Sequence, residues 1–187
     1  LPPDNFQEEP EPMVASRTSP TNMGFGLLAN LSAWDFGYLS TAALVERTTR
    51  MMDALDQLER FRGHFYNWYD TRTLRPLPPL YISSVDSGNL AAALLTLRNG
   101  LNELRDSPAV PPQVWPGLRD TLDLVVDEAG ADVPSEFMEA VREAELRLVA
   151  PPEDTPAACE RLGQLSRVAE RLRRSVPDGE SFQSLAW

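Results

Sequence analysis

Apolar residues recur at helical spacing along most of the chain, but in two styles. From Pro20 to about Trp34 the segment carries Met23, Phe25, Leu27, Leu28, Leu31 and Trp34, with no charged residue before Asp35. A helix apolar nearly all round is predicted to be buried on most sides. Ser19 and Pro20 supply its cap and a proline at the first helical position, and Gly37 ends it. The next helix, about Ala42 to Phe61, differs: Leu44, Met51, Leu55 and Leu58 make one stripe, and Glu46, Arg47, Arg50, Asp53, Asp56, Glu59 and Arg60 cover the rest. Glu46 with Arg50, and Asp56 with Arg60, are favourable pairs one turn apart. Ser40 or Thr41 is its predicted cap and Gly63 its stop. This helix faces water. A third begins near Asp86–Ser87, either of which can cap it; Leu90, Leu94, Leu97, Leu101 and Leu104 form its stripe, without a charge between Asp86 and Arg98. It reads as buried again. Three ordinary amphipathic helices follow, at about 113–128, 135–148 and 155–174.

Alternating buried and exposed helices are how an α/α toroid is built, with inner-helix ends and their loops forming a cleft. The stretch between the second and third helices interrupts that pattern. His64, Phe65, Tyr66, Asn67, Trp68, Tyr69 and Asp70 place four aromatic rings, an amide, a carboxylate and the chain's one histidine in succession. In an extended conformation His64, Tyr66, Trp68 and Asp70 share one face. Those residue types grip a polar ligand with flat apolar faces, such as a sugar; the same pattern also fits a hairpin strand whose rings cover a core. The proline-rich segment 71–79 is loop, and Leu80–Ser83 could pair back on the aromatic stretch as a short ribbon. At the other end, residues 1–17 are acidic and proline-rich and read as an extended lead-in.

Composition narrows the function classes. At 187 residues with 42% apolar content the chain is globular, and its formal charge of −11 argues against a nucleic-acid or anionic membrane surface. All 17 basic residues are arginines. One cysteine (Cys159, read as a small apolar helix residue) and one histidine exclude a disulfide framework and disfavour zinc, and no cofactor motif is present. Arg171, Arg173 and Arg174 read as a solvated last turn matching the helix dipole. No apolar run reaches the length of a membrane span.

Three polar clusters stand in otherwise apolar context: Arg17 to Asn22, His64 to Asp70, and Ser83 to Asn89. If the two charge-poor helices run the same way, all three converge on one rim. Ser19 and Asp86 are explained by capping, whereas Asn22, Asn89, Trp68 and Asp70 are not. Asp70 and Asp86 are the carboxylates near the cluster. At a sugar cleft such groups act either as acid and base or nucleophile, or as holders of hydroxyls.

Leu1 to Pro10, Arg17 to Asn22, Arg62 to Leu74 and Val85 to Ala91 resemble the glucoamylase-like domain of cyclic β-1,2-glucan synthases; the resemblance covers roughly residues 1–104, and beyond about Pro108 only generic helices remain. It implies an all-α (α/α)6 toroid acting on β-1,2-glucan as a glucanase-like or ring-closing transglycosylating module. In that family the module lies in a larger membrane-anchored bacterial enzyme, at the cytoplasmic face of the inner membrane, between glycosyltransferase and phosphorylase-like domains. The chain is then expected to be the first part of the toroid: lead-in 1–18, first toroid helices with the aromatic loop 19–106, three amphipathic helices 107–176 and a tail 177–187. The family's catalytic glutamates lie in Phe-Glu-Tyr and Trp-Gly-Ile-Ser-Glu segments, neither of which occurs here. Ser16 stands where His often precedes the first motif, and Ala92–Ala93 where Gly-His often follows the last, so no polar role is carried to those positions. The expectation is therefore a glucan-binding surface of Asn22, His64, Tyr66, Asn67, Trp68, Tyr69, Asp70, Asp86 and Asn89, with catalysis elsewhere. The competing reading is a non-catalytic helical module whose aromatic loop meets a protein partner.

Overall fold

The computed structural model describes residues 1–130 and 133–175, so the expected tail at 177–187 lies outside the described residues. The described chain is 61% helical, with α1 (Pro20–Asp35), α2 (Thr41–Gln57), α3 (Ser84–Leu104), α4 (Val114–Ala129), α5 (Ser135–Leu148) and α6 (Thr155–Ser175). It is mostly rather than wholly α. Three two-stranded antiparallel pairs accompany the helices: β1 (Asn5–Gln7) with β2 (Met13–Ala15), β3 (Arg17–Thr18) with β6 (Tyr69–Asp70), and β4 (Arg60–Phe61) with β5 (His64–Phe65). The chain divides into two compact units, residues 1–34 with 39–106, and residues 35–38 with 107 onward.

In the first unit α1 and α2 form an antiparallel hairpin, its turn end fastened by the Trp34 indole N–H donating to Thr41 Oγ1 at 3.0 Å. Further along, Gly26 of α1 faces the Met51 side chain of α2. By contrast α1 and α3 run parallel: Thr21 meets Asp86, Gly24 meets Leu90 and Ala93, and Leu31 meets Gly100. The glycines set this approach, because a Cβ at Gly24 would lie 2.9 Å from the Ala93 Cβ, and one at Gly100 2.5 Å from Leu31 Cδ2. The core holds Met23, Leu27, Leu31 and Trp34 of α1, Leu44 and Leu55 of α2, Leu90 and Leu97 of α3, together with Leu58 and Tyr69.

Burial of α1 and α3 on most sides is not what the structure shows. Each buries a single stripe, and their uncharged outer flanks stay open, with Phe25 64% and Leu95 61% exposed. In the first unit α2 and the two helices' own contact cover one side only. The second helix also ends earlier than its charge pattern implies. Leu58 caps it, the Arg60 guanidinium donates to the Leu55 carbonyl at 3.0 Å, and the chain turns into the β4–β5 hairpin. Gly63 therefore stops no helix. With Arg62 it forms the two-residue turn of that hairpin, both at positive φ (86° and 51°). Ser83, not Asp86 or Ser87, caps α3.

The lead-in is also more ordered than its prolines imply. Asn5, Phe6 and Gln7 pair with Ala15, Val14 and Met13, and Arg17–Thr18 then pairs with Asp70–Tyr69. The predicted ribbon of 80–83 on the aromatic stretch reduces to one backbone bond, Asn67 N–H to the Tyr81 carbonyl at 2.9 Å. The strand's neighbours come from closer in sequence, through Trp68 with Leu77, Tyr69 with Pro76 and Asp70 with Arg75.

The second unit has its own core of Trp115, Leu122, Phe137, Ala140, Val141, Ala144, Leu148, Ala158, Val168 and Leu172. Its 35–38 segment contributes Gly37, at φ 77°, where a Cβ would strike the Gln113 carbonyl oxygen. Tyr38 Oη donates to Asp120 at 3.0 Å, and that hydrogen bond and the nearby charge raise the phenol pKa. At the end of α6, Glu170 accepts from Arg173 and Arg174, which lower its pKa to about 2, and Arg171 pairs with Glu143. Cys159 is exposed on α6 rather than packed as a small apolar residue.

Two substitutions check these packing statements. Gly37→Ala combines a left-handed backbone with a backbone clash, and is expected to lower stability by about 1–3 kcal/mol in chemical denaturation. Thr48 is buried in α2 and its hydroxyl has no hydrogen-bond partner among the described residues. Thr48→Val removes that orphan and is expected to be neutral or stabilising by up to about 1 kcal/mol, read as a rise in melting temperature.

Candidate functional site

Asp86 is the carboxylate on which the three polar segments meet. It sits in the first turn of α3, its N–H donating to the Ser83 cap hydroxyl at 3.1 Å, where the helix dipole favours negative charge. Because α1 runs parallel, its own first turn lies alongside. Thr21 Oγ1 donates to Asp86 Oδ1 at 2.7 Å and accepts from Asn89 Nδ2 at 3.0 Å. Asn67 closes the other side from within the aromatic stretch. Its amide, buried, is assigned so that the nitrogen donates to Asp86 Oδ2 at 3.0 Å while the oxygen accepts from Trp68 Nε1 at 2.9 Å and Tyr81 Oη at 2.7 Å. The result is a continuous donor–acceptor chain running from Asn89 through Thr21, Asp86 and Asn67 to Trp68 and Tyr81. Such chains strengthen their members in a low-dielectric setting.

Burial pushes the Asp86 carboxyl up, but hydroxyl hydrogen bonds from Ser83, Thr21 and Ser19 and the Thr21 backbone N–H outweigh it and leave the pKa below the usual aspartate value. Asp70 is lowered as well, by the backbone N–H groups of Thr73 and Arg72, against a smaller opposing effect of burial. Its Oδ1 accepts from both N–H groups, at 2.8 and 2.9 Å, and from the Thr73 hydroxyl at 3.1 Å, so the side chain is spent on building the turn at 70–75. A general acid in sugar chemistry needs a raised pKa. Neither carboxyl has one.

The remaining expected residues separate. Trp68 is half-buried, its N–H is taken by Asn67, and one ring face is covered by the Arg17 guanidinium, whose carbon lies 4.6 Å from the ring centroid. Asn22 stands at the N-terminus of α1, its Nδ2 donating to Asp4 Oδ1 at 3.1 Å. Tyr69 is fully buried; its hydroxyl donates to the Glu59 carbonyl at 2.6 Å and accepts from Tyr66 N–H at 2.8 Å, and burial raises its pKa. It serves the core, so its expected place on a binding surface is corrected. Tyr66 packs partly against that core and leans on Tyr69, with ring centroids 6.4 Å apart. His64 is exposed on the β4–β5 hairpin, and its imidazole makes no hydrogen bond among the described residues. The single extended face expected for 64–70 is absent because this stretch is two short strands in different sheets, separated by residues 66–68. Asn67, Trp68, Asp86 and Asn89 are brought together; His64 and Tyr69 are not brought to them by any hydrogen bond.

Over 113 residues, 60% of its length, the chain is 45% identical to the cyclic β-(1,2)-glucan synthase NdvB of Rhizobium meliloti (strain 1021). The two are related. The match covers 4% of the synthase's length. No family model matches the chain. Among the described residues no helix is long and apolar enough to cross a membrane, and no cluster of three or more His, Cys, Asp or Glu could hold a metal.

Four participants escaped the sequence reading as site residues: Asp4, Arg17, Thr21 and Tyr81. Thr21 and Arg17 fall within a polar cluster that was visible. Asp4 and Tyr81 reach the site only through tertiary contacts, from a proline-rich lead-in and a loop end. The hub role of Asp86 has a direct check. Asp86→Ala leaves Thr21 and Asn67 without their acceptor and is expected to cost about 1–3 kcal/mol at neutral pH. The folded-state pKa lies below the unfolded one, so this contribution is present above the ordinary aspartate range. It is lost as pH falls through the lowered value. The stability gap between wild type and variant is therefore constant near pH 7 and closes in acid, as urea titrations across pH would report.

Proposed function

We propose that the junction of Arg17–Asn22, Asn67–Trp68 and Tyr81–Asn89 is part of a β-1,2-glucan-binding cleft in a cyclic β-glucan synthase-type polypeptide. The observation that carries the reading is the convergence of Thr21, Asn67, Asp86 and Asn89 beside a tryptophan, at the paired N-termini of two parallel helices. Neutral amides and hydroxyls around one ionised carboxylate suit sugar hydroxyls, which both donate and accept, and an indole face suits the apolar face of a pyranose. The identity with NdvB supports the same substrate class. Asn89, Asn22, Tyr81 and Trp68 are the contacting groups in this reading. Asp86 organises them.

Parallel α1 and α3 with an antiparallel, charged α2 have the directions and the charge contrast expected of inner and outer helices in an (α/α)6 toroid. That supports reading these helices as its beginning, in a glucanase-like or transglycosylating module of a larger membrane-anchored enzyme working at the cytoplasmic face of the inner membrane. The open flanks bearing Phe25, Val85 and Leu95 are surfaces that further helices of the polypeptide would cover. Two carboxyls held ionised leave the bond-making acid to groups elsewhere in that polypeptide.

Titration of the chain with β-1,2-linked gluco-oligosaccharides by calorimetry tests the reading. Saturable binding is expected, and Trp68→Ala is expected to weaken it by about tenfold. Unchanged affinity in the variant would remove the stacking role. Absence of binding by the wild type would overturn the glucan reading.

A further inference from the structure

The lead-in folds into a hairpin whose first residues carry a carboxylate back to the site. Asp4 N–H donates to the Ala15 carbonyl at 3.3 Å, and β1 and β2 continue the pairing from there. The Asp4 side chain, 22% exposed, then makes two attachments with different oxygens. Oδ2 accepts from Arg17 Nε and Nη2 at 3.0 and 2.9 Å, and Oδ1 accepts from Asn22 Nδ2 at 3.1 Å. One carboxylate thus ties the first turn of α1 to the arginine that lies over Trp68. Arg17 is on β3, opposite Asp70, so its backbone is already beside the aromatic stretch. Its side chain is 53% exposed and has several rotatable bonds, and the strand does not fix where the guanidinium sits. Asp4 does, through two charge-assisted bonds from one edge of the planar fork that converge on its Oδ2.

We infer that Asp4 is a positioning residue for Trp68: it holds Arg17 across one face of the indole, so that the ring offers a ligand only its other face and its edge. Asn67 fixes the ring edge through Nε1, and Arg17 fixes the covered face. The tryptophan is thereby set from two directions before any ligand arrives, which lowers the ordering cost of binding. The guanidinium has five N–H donors, of which Asp4 takes two among the described residues, leaving the others for hydroxyls of a sugar that extends past the ring edge. This last point rests on the glucan-binding reading above. The positioning of Trp68 does not.

The test uses the full chain with Asp4→Ala, Asp4→Asn and Arg17→Met, each alone and combined with Trp68→Phe. Trp68 is read as the difference in fluorescence and near-ultraviolet circular dichroism between a protein and its Trp68→Phe counterpart. Asp4→Ala and Arg17→Met are expected to change that difference signal alike, and a variant carrying both Asp4→Ala and Arg17→Met, measured against its own Trp68→Phe counterpart, no further than either single one. Asp4→Asn keeps one acceptor oxygen and is expected to fall between. Affinity for a β-1,2-gluco-oligosaccharide is expected to drop by about tenfold with Asp4→Ala. Arg17→Met keeps the aliphatic stem, so a native far-ultraviolet spectrum in that variant separates loss of the stacked charge from loss of the hairpin. An unchanged Trp68 signal in Asp4→Ala overturns the inference, as does a change that persists in the Trp68→Phe background. If the Trp68 signal responds as expected while the wild type binds no oligosaccharide, the positioning role stands and the glucan reading falls.

Discussion

The close parallel approach of α1 and α3 is the constraint on which the polar site depends. Two helices normally keep 8–10 Å between axes, depending on the side chains at the contact. Gly24 against Ala93 and Gly100 against Leu31 let these two come as near as backbone and small side chains allow. Because the helices run the same way, their N-termini end at the same level, and Thr21 lands within hydrogen-bonding distance of Asp86. An antiparallel pair with the same contacts would have put Thr21 at the far end, beside the last turn of α3. Direction, more than residue choice, turns two ordinary caps into one network.

That network has one charge at its centre and neutral groups around it. Ser19, Thr21, Ser83 and Asn67 all point hydrogens at Asp86, which keeps the carboxylate ionised and uses up much of its capacity to accept. Outward-facing capacity rests instead with Asn89, Tyr81 and the unshared N–H groups of Arg17. A site built this way has donors and acceptors in similar measure and an aromatic face beside them. It is poorly suited to a metal ion, which would need several free carboxylate or imidazole ligands, and it offers no raised carboxyl for proton transfer. That mix is what the proposed glucan-binding role draws on.

Much of this was legible in the residues. The helix starts at Pro20 and Thr41 follow cap and proline signals that act locally, and the convergence of three polar clusters follows from two charge-poor helices pointing one way. The failures have a common cause. Alternation over 64–70 fits one strand, but Arg62 and Gly63 form a tight turn that hands His64 and Phe65 to Phe61 and Arg60 while Tyr69 and Asp70 go to Thr18 and Arg17. Pairing partners fifty residues away leave no trace in a local pattern. The same holds for the lead-in, where prolines masked a hairpin whose strands are three residues each. Tyr69 looked like a ligand-facing ring by composition, yet a tyrosine whose hydroxyl finds a buried carbonyl is as stable inside as out.

Both units leave apolar side chains in the open, Leu124 and Leu146 in the second as well as Phe25, Val85 and Leu95 in the first, and what sets the units apart is the charge around those side chains. In the second unit the helices are amphipathic in the ordinary sense, and Trp115, Phe137, Val141, Leu148, Val168 and Leu172 close on one another behind charged faces. In the first, α1 and α3 lack charge on both flanks but bury only one, leaving Phe25, Val85 and Leu95 in the open. A sequence under no pressure to cover those flanks would carry charges there, as α2 does with Glu46, Arg47, Arg50 and Asp53. Exposed rows without charge beside the polar site are the surfaces that the further helices of the proposed toroid would cover.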